Sequence, residues 1–275
     1  MGAVNTTLTS EDKDEYGCEY FASFEHFPYS ETSHESFYLG RYSREGKFSY
    51  KHDDLCRIRA KRHKIGRHRH WESQVRIGRV AQEVAKDFNK AVVKQKDTIT
   101  ISVPIRAEMS SVFNEWAPVG MCLRCCKPHK KKLVVGEVVL LEPYFSSREN
   151  EYYSDSTGCC ENENLSDVDK DITQAFSHYS WEHSGGKFVI CGLKGRKMDK
   201  EYYFRGPTVH SNPVAGRGRD EGGDEGEGDG DVEGKGDEEG EEHEDFGDKD
   251  EGLLGIRNFF VNHECNQLCE NFSKL

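Results

Sequence analysis

The chain has no long apolar run and little apolar character overall. Its mean hydropathy is −0.83, and hydrophobic residues make up 35% of its 275 positions. A transmembrane helix needs roughly 20 consecutive apolar residues, and a secretory signal needs an apolar segment near its start. The sequence contains neither, so we expect a cytoplasmic protein with no transmembrane segment. The first six residues (MGAVNT) fit the loose pattern for N-myristoylation of Gly2, and they equally fit an ordinary polar terminus.

Acidic charge is confined to one stretch. Residues 220–251 hold eighteen Asp or Glu against two Lys, a net of −16, so the rest of the chain carries the +4 that brings the total to −12. Residues 216–245 are almost entirely Gly, Asp and Glu, which cannot bury enough apolar area to offset the entropy of ordering. We expect a disordered acidic insertion there.

A dense run of Lys, Arg and His occupies residues 61–70. It fits either phosphate or acidic-partner binding or a solvated loop. Aromatic residues are not interleaved with it, so we expect no specific nucleic-acid binding.

Cysteine is not scarce, since the chain has ten without a secretory signal. That combination indicates a reducing compartment, in which thiols bind metals or stay buried. Near the C-terminus, His263, Cys265 and Cys269 form an H-x-C-x3-C cluster. Thiolate and imidazole are typical zinc ligands, and four protein ligands close a structural site. The cluster therefore predicts a zinc site whose fourth ligand lies elsewhere in the chain.

Hydrophobic periodicity predicts both helices and strands. Residues 75–89 and 172–181 repeat at helical spacing, and a last helix begins near residue 255. Strand-like patterns include 37–58, 98–106, 134–141 and 187–193, whereas residues 1–25 are polar and predicted to be disordered. Strands and helices do not alternate strictly, which favours an α+β fold with two lobes.

Seven segments, taken in order, resemble the alpha-type protein kinases. They are WESQVRIGRVAQEVAKDFN (71–89), GEVVLLEPY (136–144), QAFSHYSWEHSGG (174–186), VICGLKG (189–195), GPTVHS (206–211), FGDKDEGLLGI (246–256) and NFFVNHECNQLC (258–269). The resemblance implies a two-lobed atypical kinase fold, with one lobe at about 26–142 and the other at about 143–275. It also implies that His178 completes the structural zinc site with His263, Cys265 and Cys269.

The resemblance extends to the catalytic centre, where this chain departs from the family pattern. In the family, an Asp and a Gln follow the strand that matches VICGLKG, and a second metal-binding Asp precedes the Pro of GPTVHS. Here the corresponding residues are Gly192, Lys194 and Gly206. Two carboxylates that would hold Mg²⁺ are missing and a cation has been gained, so we expect nucleotide binding without a strict Mg²⁺ dependence, with Lys194 replacing the metal in part.

Other nucleotide-binding positions of the family have counterparts. Its phosphate-contacting Lys aligns with Arg59, and the Glu beside its adenine pocket aligns with Glu142. The glycine-rich loop is kept at Gly247 and Gly252, where glycine permits close backbone approach to a phosphate or peptide.

Two functions of different class follow. By resemblance the chain is a serine/threonine protein kinase-like domain that transfers phosphate from ATP to protein hydroxyls. Its catalysis would be impaired, or would recruit an acid such as Asp199 or Asp250. The alternative is a pseudokinase that acts as a nucleotide- or protein-binding scaffold. ATP and a protein substrate or partner are the expected ligands.

Overall fold

Thirteen strands and three α-helices occur in the residues that the computed structural model describes, which are 6–10, 21–24, 28–43, 54–94, 96–111, 133–146, 151–160, 162–213, 246–270 and 272. The strands are β1 Thr6–Ser10, β2 Phe21–Phe24, β3 Ser30–Glu31, β4 Glu35–Ser43, β5 Asp54–Lys61, β6 Thr98–Ser102, β7 Ile105–Ser111, β8 Val138–Pro143, β9 Glu151–Tyr152, β10 Phe188–Cys191, β11 Lys194–Met198, β12 Glu201–Arg205 and β13 Thr208–Ser211. The helices are α1 Glu72–Ala91, α2 Asp167–His183 and α3 Leu253–Asn262. In these ranges no helix combines the length and apolar character that crossing a bilayer requires.

An antiparallel sheet in the order β2-β1-β7-β8-β5-β4-β3 forms the first layer. Because β2 also pairs with β4, six of its strands close on themselves. The interior of this ring holds Tyr38, Ile58, Met109 and Leu141 with smaller neighbours. Closure removes the exposed edges that an open sheet would present.

Strand periodicity decides which side chains of β5 enter this core. Cys56, Ile58 and Ala60 are buried inside the ring, whereas the alternate residues Arg57, Arg59 and Lys61 point to the other face. β8 is buried on both faces, because Val138 and Leu140 pack against Trp71 and Val75. Its continuous apolar sequence follows from that double burial.

A second core lies between α1, α2 and a sheet in the order β6-β12-β11-β9. The apolar face of α1 contributes Val84 and Phe88, and α2 contributes Ile172 and Phe176. The helix at 75–89 is thus confirmed, with its predicted buried face. However, α1 and β6 share their core with later elements, so the predicted lobe boundary at about residue 142 cuts across a packed unit.

Several predicted boundaries differ from the observed ones. The strand at 98–106 is two strands, β6 and β7, because the chain breaks at Val103-Pro104 and Pro has no N–H to donate. β8 begins only at Val138, since Gly136 adopts a φ of +79° in a turn. α2 begins at Asp167, because Ser166 and Asp169 form a capping box.

The N-terminal prediction is wrong for the described residues 6–10 and 21–24, which form β1 and β2 in the first sheet. Sheet pairing supplies the partners of their backbone N–H and C=O groups, and Ala22 of β2 is also buried in the first core. Gly2 and the acidic insertion at 216–245 lie outside the described residues.

Candidate metal centre and nucleotide site

Two elements bring the four predicted metal ligands together. His178 lies on α2, and the other three follow α3: His263 directly after the helix, Cys265 in the next turn, and Cys269 in a short 3₁₀ helix. The ligand atoms all lie within 4.8 Å of one another. A helix and a chain segment some 85 residues apart therefore meet at one point.

Three separations measured from His263 Nε2 are close to the edges of a tetrahedral zinc site. Bond lengths of about 2.0–2.3 Å at tetrahedral angles predict roughly 3.3 Å between two nitrogens and about 3.6 Å between nitrogen and sulfur. The distance from His178 Nδ1 to His263 Nε2 is 3.0 Å, and from His263 Nε2 to Cys265 Sγ it is 3.4 Å. His263 Nε2 lies 3.9 Å from Cys269 Sγ. These four residues therefore fit a zinc ion.

Burial sets the charge state of two residues of the cluster. Burial, followed by the neighbouring His178, lowers the pKa of His263 to about 4. Burial is also the main cause that raises the pKa of the Cys269 thiol, to about 11. Without an ion the cluster therefore holds a neutral imidazole and a protonated thiol. A divalent ion would favour the thiolate and bind the imidazole lone pair.

Aromatic packing fixes the cluster in place. The His178 ring contacts Phe260 and Phe272 edge-on, and His263 stacks on Phe259. Phe259 itself is fully buried against β10. The tail after α3 is therefore packed on both sides of the metal ligands.

The predicted nucleotide residues on β5 and β8 form a buried ion-pair network. Glu142 is 3% exposed, and Arg57 and Arg59 both donate to its carboxylate. Arg59 also donates two hydrogen bonds to Glu35, at 3.0 and 3.1 Å. Lys61 pairs with Glu35 too and lies over the Trp71 ring. The roles of Arg59 and Glu142 in nucleotide binding stay predictions.

The arginines set the charge state of Glu142. Burial by itself raises the pKa of this carboxyl group, but the charges and hydrogen bonds of Arg59 and Arg57 outweigh it and hold the pKa at about 2. The carboxylate is therefore ionised throughout the physiological range.

Arg205 joins this network from the second sheet, and sequence reasoning missed it. Its Nη1 donates to the carbonyl oxygen of Pro143 at 2.9 Å, and its guanidinium lies 4.8 Å from the Phe145 ring centre. Burial, with the nearby Arg57 charge, lowers its pKa to about 10. The signal in the sequence that could have pointed to Arg205 was a cationic residue at the end of an aromatic-rich strand, directly before Gly206.

Lys194 is the first residue of β11, and Gly192 lies two residues before it. The Lys194 ammonium donates to the Tyr152 hydroxyl at 2.6 Å and lies 4.0 Å from that ring centre. The hydrogen bond from Lys194, together with the charges of Lys249 and Arg205, lowers the pKa of Tyr152 although partial burial opposes this. Three cations, Lys194, Lys249 and Arg205, thus lie close enough to Tyr152 to lower its pKa.

The side chains present do not fit a magnesium site of the family type. Mg²⁺ binds through carboxylate and phosphate oxygens, and Gly192 and Gly206 supply none. Asp155 is an acidic residue beside Gly192, since its backbone carbonyl oxygen accepts a hydrogen bond from Gly192 N at 2.8 Å. However, Oδ1 of Asp155 already accepts from Thr157 and from Cys159 N.

Of the two acids considered as substitutes, Asp250 is already hydrogen-bonded and Asp199 lies at the other end of β11. Asp250 Oδ1 accepts from Ser211 N at 2.9 Å and from Gly252 N at 2.7 Å. Asp199 follows the far end of β11, roughly 16 Å along the strand from Lys194 at about 3.3 Å per residue.

The glycine-rich loop is held by β13 and α1. Gly247 and Gly252 have φ values of +80° and +60°, and a Cβ on Gly247 would lie 2.9 Å from Ser73 Oγ. Glycine is therefore required there, as the pattern predicts, although a role in nucleotide binding stays a prediction.

His210 is fully buried on β13. Its Nε2 lies 2.7 Å from the Ser156 carbonyl oxygen, and Glu251 N lies 3.1 Å from its Nδ1. The ring thereby connects the loop around residue 156 to the glycine-rich loop. Strand periodicity was the signal that could have indicated its burial.

Comparison with known proteins identifies the class. The model of the alpha-kinase family matches residues 44–228, which is more than half of the chain. The chain therefore belongs to the alpha-kinase family, which confirms the resemblance read from its motifs. Alpha-protein kinase vwkA of Dictyostelium discoideum is 25% identical over 126 residues, an alignment that covers 46% of this chain and 15% of that longer protein.

Solved structures show the same fold. A structure of an alpha kinase from Entamoeba histolytica matches with a TM-score of 0.61 at 14% identity, covering 94% of this chain and 81% of the other. The alpha-kinase domain of myosin heavy chain kinase A in complex with ADP matches with a TM-score of 0.58 at 13% identity, covering 97% and 95%. The α+β alpha-kinase fold is thus confirmed.

Proposed function

We propose that this chain is a zinc-stabilised, nucleotide-binding member of the alpha-kinase family whose phosphoryl transfer to serine or threonine is severely impaired. Its fold relatives include a kinase domain solved with ADP, which supports nucleotide binding. Zinc binding is supported by the close approach of four typical zinc ligands, His178, His263, Cys265 and Cys269, whose ligand atoms lie within 4.8 Å of one another.

One observation carries the proposal of impaired transfer. Gly192 has a φ of +67°, and a Cβ at this position would lie 2.9 Å from Thr208 Oγ1. The loss of the carboxylate is therefore accompanied by a backbone conformation that side chains rarely adopt. An active kinase that recruits another acid is disfavoured, because Asp250 is already hydrogen-bonded and Asp199 is remote.

This conformation predicts that the family residue is no longer tolerated. We expect Gly192→Asp to lower the free energy of unfolding by about 1–3 kcal/mol, from left-handed backbone strain and the clash with Thr208. Gly206 also has a positive φ, but no atom lies within 4 Å of a Cβ added there. The loss of unfolding free energy in Gly206→Asp should therefore be at the low end of that range. Urea unfolding of each variant measures the difference.

Alanine variants provide the matched control. Gly192→Ala adds the Cβ without the charge and should reproduce most of the loss, whereas Gly206→Ala should cost less. A Gly192→Ala protein as stable as wild type would contradict the steric explanation.

Nucleotide binding is tested by the shift in unfolding temperature on titration with ATP, with Mg²⁺ or with EDTA. We expect ATP to stabilise the protein in EDTA, because Lys194, Lys249 and Arg205 can meet the phosphate charge without a metal. Lys194→Gln should weaken ATP binding about tenfold, the effect of roughly 1.4 kcal/mol. Radiolabel transfer to a basic protein substrate should stay near background.

The exposed Lys200, in the turn between β11 and β12, provides the matched charge control. Lys200→Gln should leave the ATP titration unchanged. A strict requirement for Mg²⁺, or robust transfer of label by wild type, would contradict the proposal.

A further inference from the structure

Gln174 contacts both the metal cluster and the loop that supports Gly192. It lies on α2, one helical turn before His178 and therefore on the same face. Its Oε1 is 2.8 Å from His263 Nδ1, and its Nε2 donates to the Gly158 carbonyl oxygen at 2.5 Å. One amide side chain thus joins a metal ligand to a loop carbonyl.

The loop carbonyl fixes the orientation of this amide. Because a carbonyl oxygen only accepts, the NH₂ group must face Gly158 and Oε1 must face His263. Nδ1 of His263 must then carry the proton, which leaves the Nε2 lone pair directed at the other three ligands. The tautomer needed for metal binding is therefore set by Gly158, through Gln174.

The same loop holds the segment that leads into β11. Asp155 O accepts from Gly158 N at 3.1 Å and from Gly192 N at 2.8 Å. Gly158 packs closely against Phe259, since a Cβ added to this glycine would lie 2.4 Å from Phe259 Cδ2. The contacts therefore run from His263 through Gln174 and the 155–158 turn to Gly192.

We propose that Gln174 is a positioning residue that orients His263 for the metal and transmits metal occupancy to the 155–158 turn and Gly192. This inference rests on the zinc site proposed above. Partners that hydrogen-bond to a metal-ligating histidine typically change metal affinity 10–100-fold when they are removed.

Two substitutions separate the contacts at the two ends of the Gln174 amide. In Gln174→Leu the hydrogen bonds to His263 and Gly158 are lost, together with the 3.2 Å contact between Nε2 and Cys160 Sγ. In Gln174→Glu the carboxylate still accepts from His263 Nδ1, but it cannot donate to Gly158 O and repels it. Zinc affinity, measured by chelator competition on the full chain, should fall about 10–100-fold in Gln174→Leu and stay within a few-fold of wild type in Gln174→Glu.

Hydrogen–deuterium exchange at saturating Zn²⁺ measures the effect of losing the contact between Gln174 and Gly158. Peptides covering 155–160 and 190–195 should exchange faster in both variants than in wild type. Gln82→Leu, a substitution of another half-buried glutamine, on α1, is the control and should change neither the zinc affinity nor the exchange of these peptides.

The outcomes distinguish this inference from the zinc proposal. A wild-type protein that is folded and binds no zinc overturns both. Wild-type zinc affinity in Gln174→Leu overturns only the orienting role. Wild-type exchange of both peptides in zinc-saturated Gln174→Glu overturns only the link to the turn.

Discussion

Removing the proposed zinc ion should lower the unfolding temperature of this protein by about 10 °C or more. An ion present at a thousand times its dissociation constant stabilises the folded state by about 4 kcal/mol, and 1 kcal/mol corresponds to about 2–4 °C for domains of this size. The ion would join His178 on α2 to three ligands that follow α3. Its loss therefore releases the C-terminal segment from α2, and no catalytic group is removed.

The experiment compares wild type with Cys269→Ser, each before and after treatment with a chelator. Cys269→Ser should resemble chelated wild type and should not respond further to chelator. Its hydrogen exchange should rise first in residues 253–270. Cys159→Ser changes a thiol outside the cluster and should keep both zinc and stability. If wild-type protein is folded and its unfolding temperature does not change on chelation, the zinc proposal is wrong.

Replacing Glu142 by Gln will destabilise the protein by about 3–5 kcal/mol near neutral pH. The carboxylate is buried and is shared by Arg57 and Arg59. Removing one partner of a buried ion pair leaves the others uncompensated, a cost that exceeds that of most single substitutions. The substituted amide can still accept one hydrogen bond, but it provides no charge. Urea unfolding at pH 7 measures the loss.

The effect of this substitution will depend on pH in a defined direction. The pKa of Glu142 is about 2 in the folded protein, against 4.5 for the free group. As the pH falls below about 4.5, the unfolded state takes up this proton first, so wild type loses stability that the Gln variant never had. The stabilisation that the ionised Glu142 provides is fully present above about pH 4.5 and is lost as the pH falls toward 2. The shift corresponds to roughly 3 kcal/mol.

The difference between wild type and Glu142→Gln should therefore narrow as the pH is lowered through that window. Glu108, an exposed carboxylate on β7 of the same sheet, provides the matched control. Glu108→Gln should stay within about 0.5 kcal/mol of wild type at every pH. A constant gap between wild type and Glu142→Gln from pH 6 to 3 would show that the arginines do not hold the carboxylate ionised.

Elements with a strong local period were predictable from the sequence. The α1 pattern is long and regular, so its buried face could be assigned before any tertiary contact was known. Boundaries were less predictable, as at Pro104, where the break depends on how the chain passes over α1. There a Cβ on Gly78 would lie 2.7 Å from Pro104 Cδ. Strands β1 and β2 were missed because their own periodicity is weak and because β1 pairs with β7, which lies far along the chain.

The candidate site divides in the same way. Three metal ligands lie within seven residues, so their chemistry is readable from spacing, and family motifs supply His178. The network around Glu142 is different. Its arginines come from a strand some 85 residues earlier, and nothing local in either segment shows that they meet. Arg205, His210 and Gln174 were overlooked for the same reason, since each acts through a partner on another element.

The sequence by itself determined the family and the positions of the helices, and it predicted the acidic insertion and the set of metal ligands. Each of these follows from residue types at short, fixed spacings, which the backbone geometry of a helix or turn converts directly into position. Only the tertiary structure decided that six strands close into a ring, that Glu142 is held by two arginines, and that Gly192 has a glycine-adapted backbone. Those features depend on the contacts of residues remote in sequence, where packing and burial set geometry and charge together.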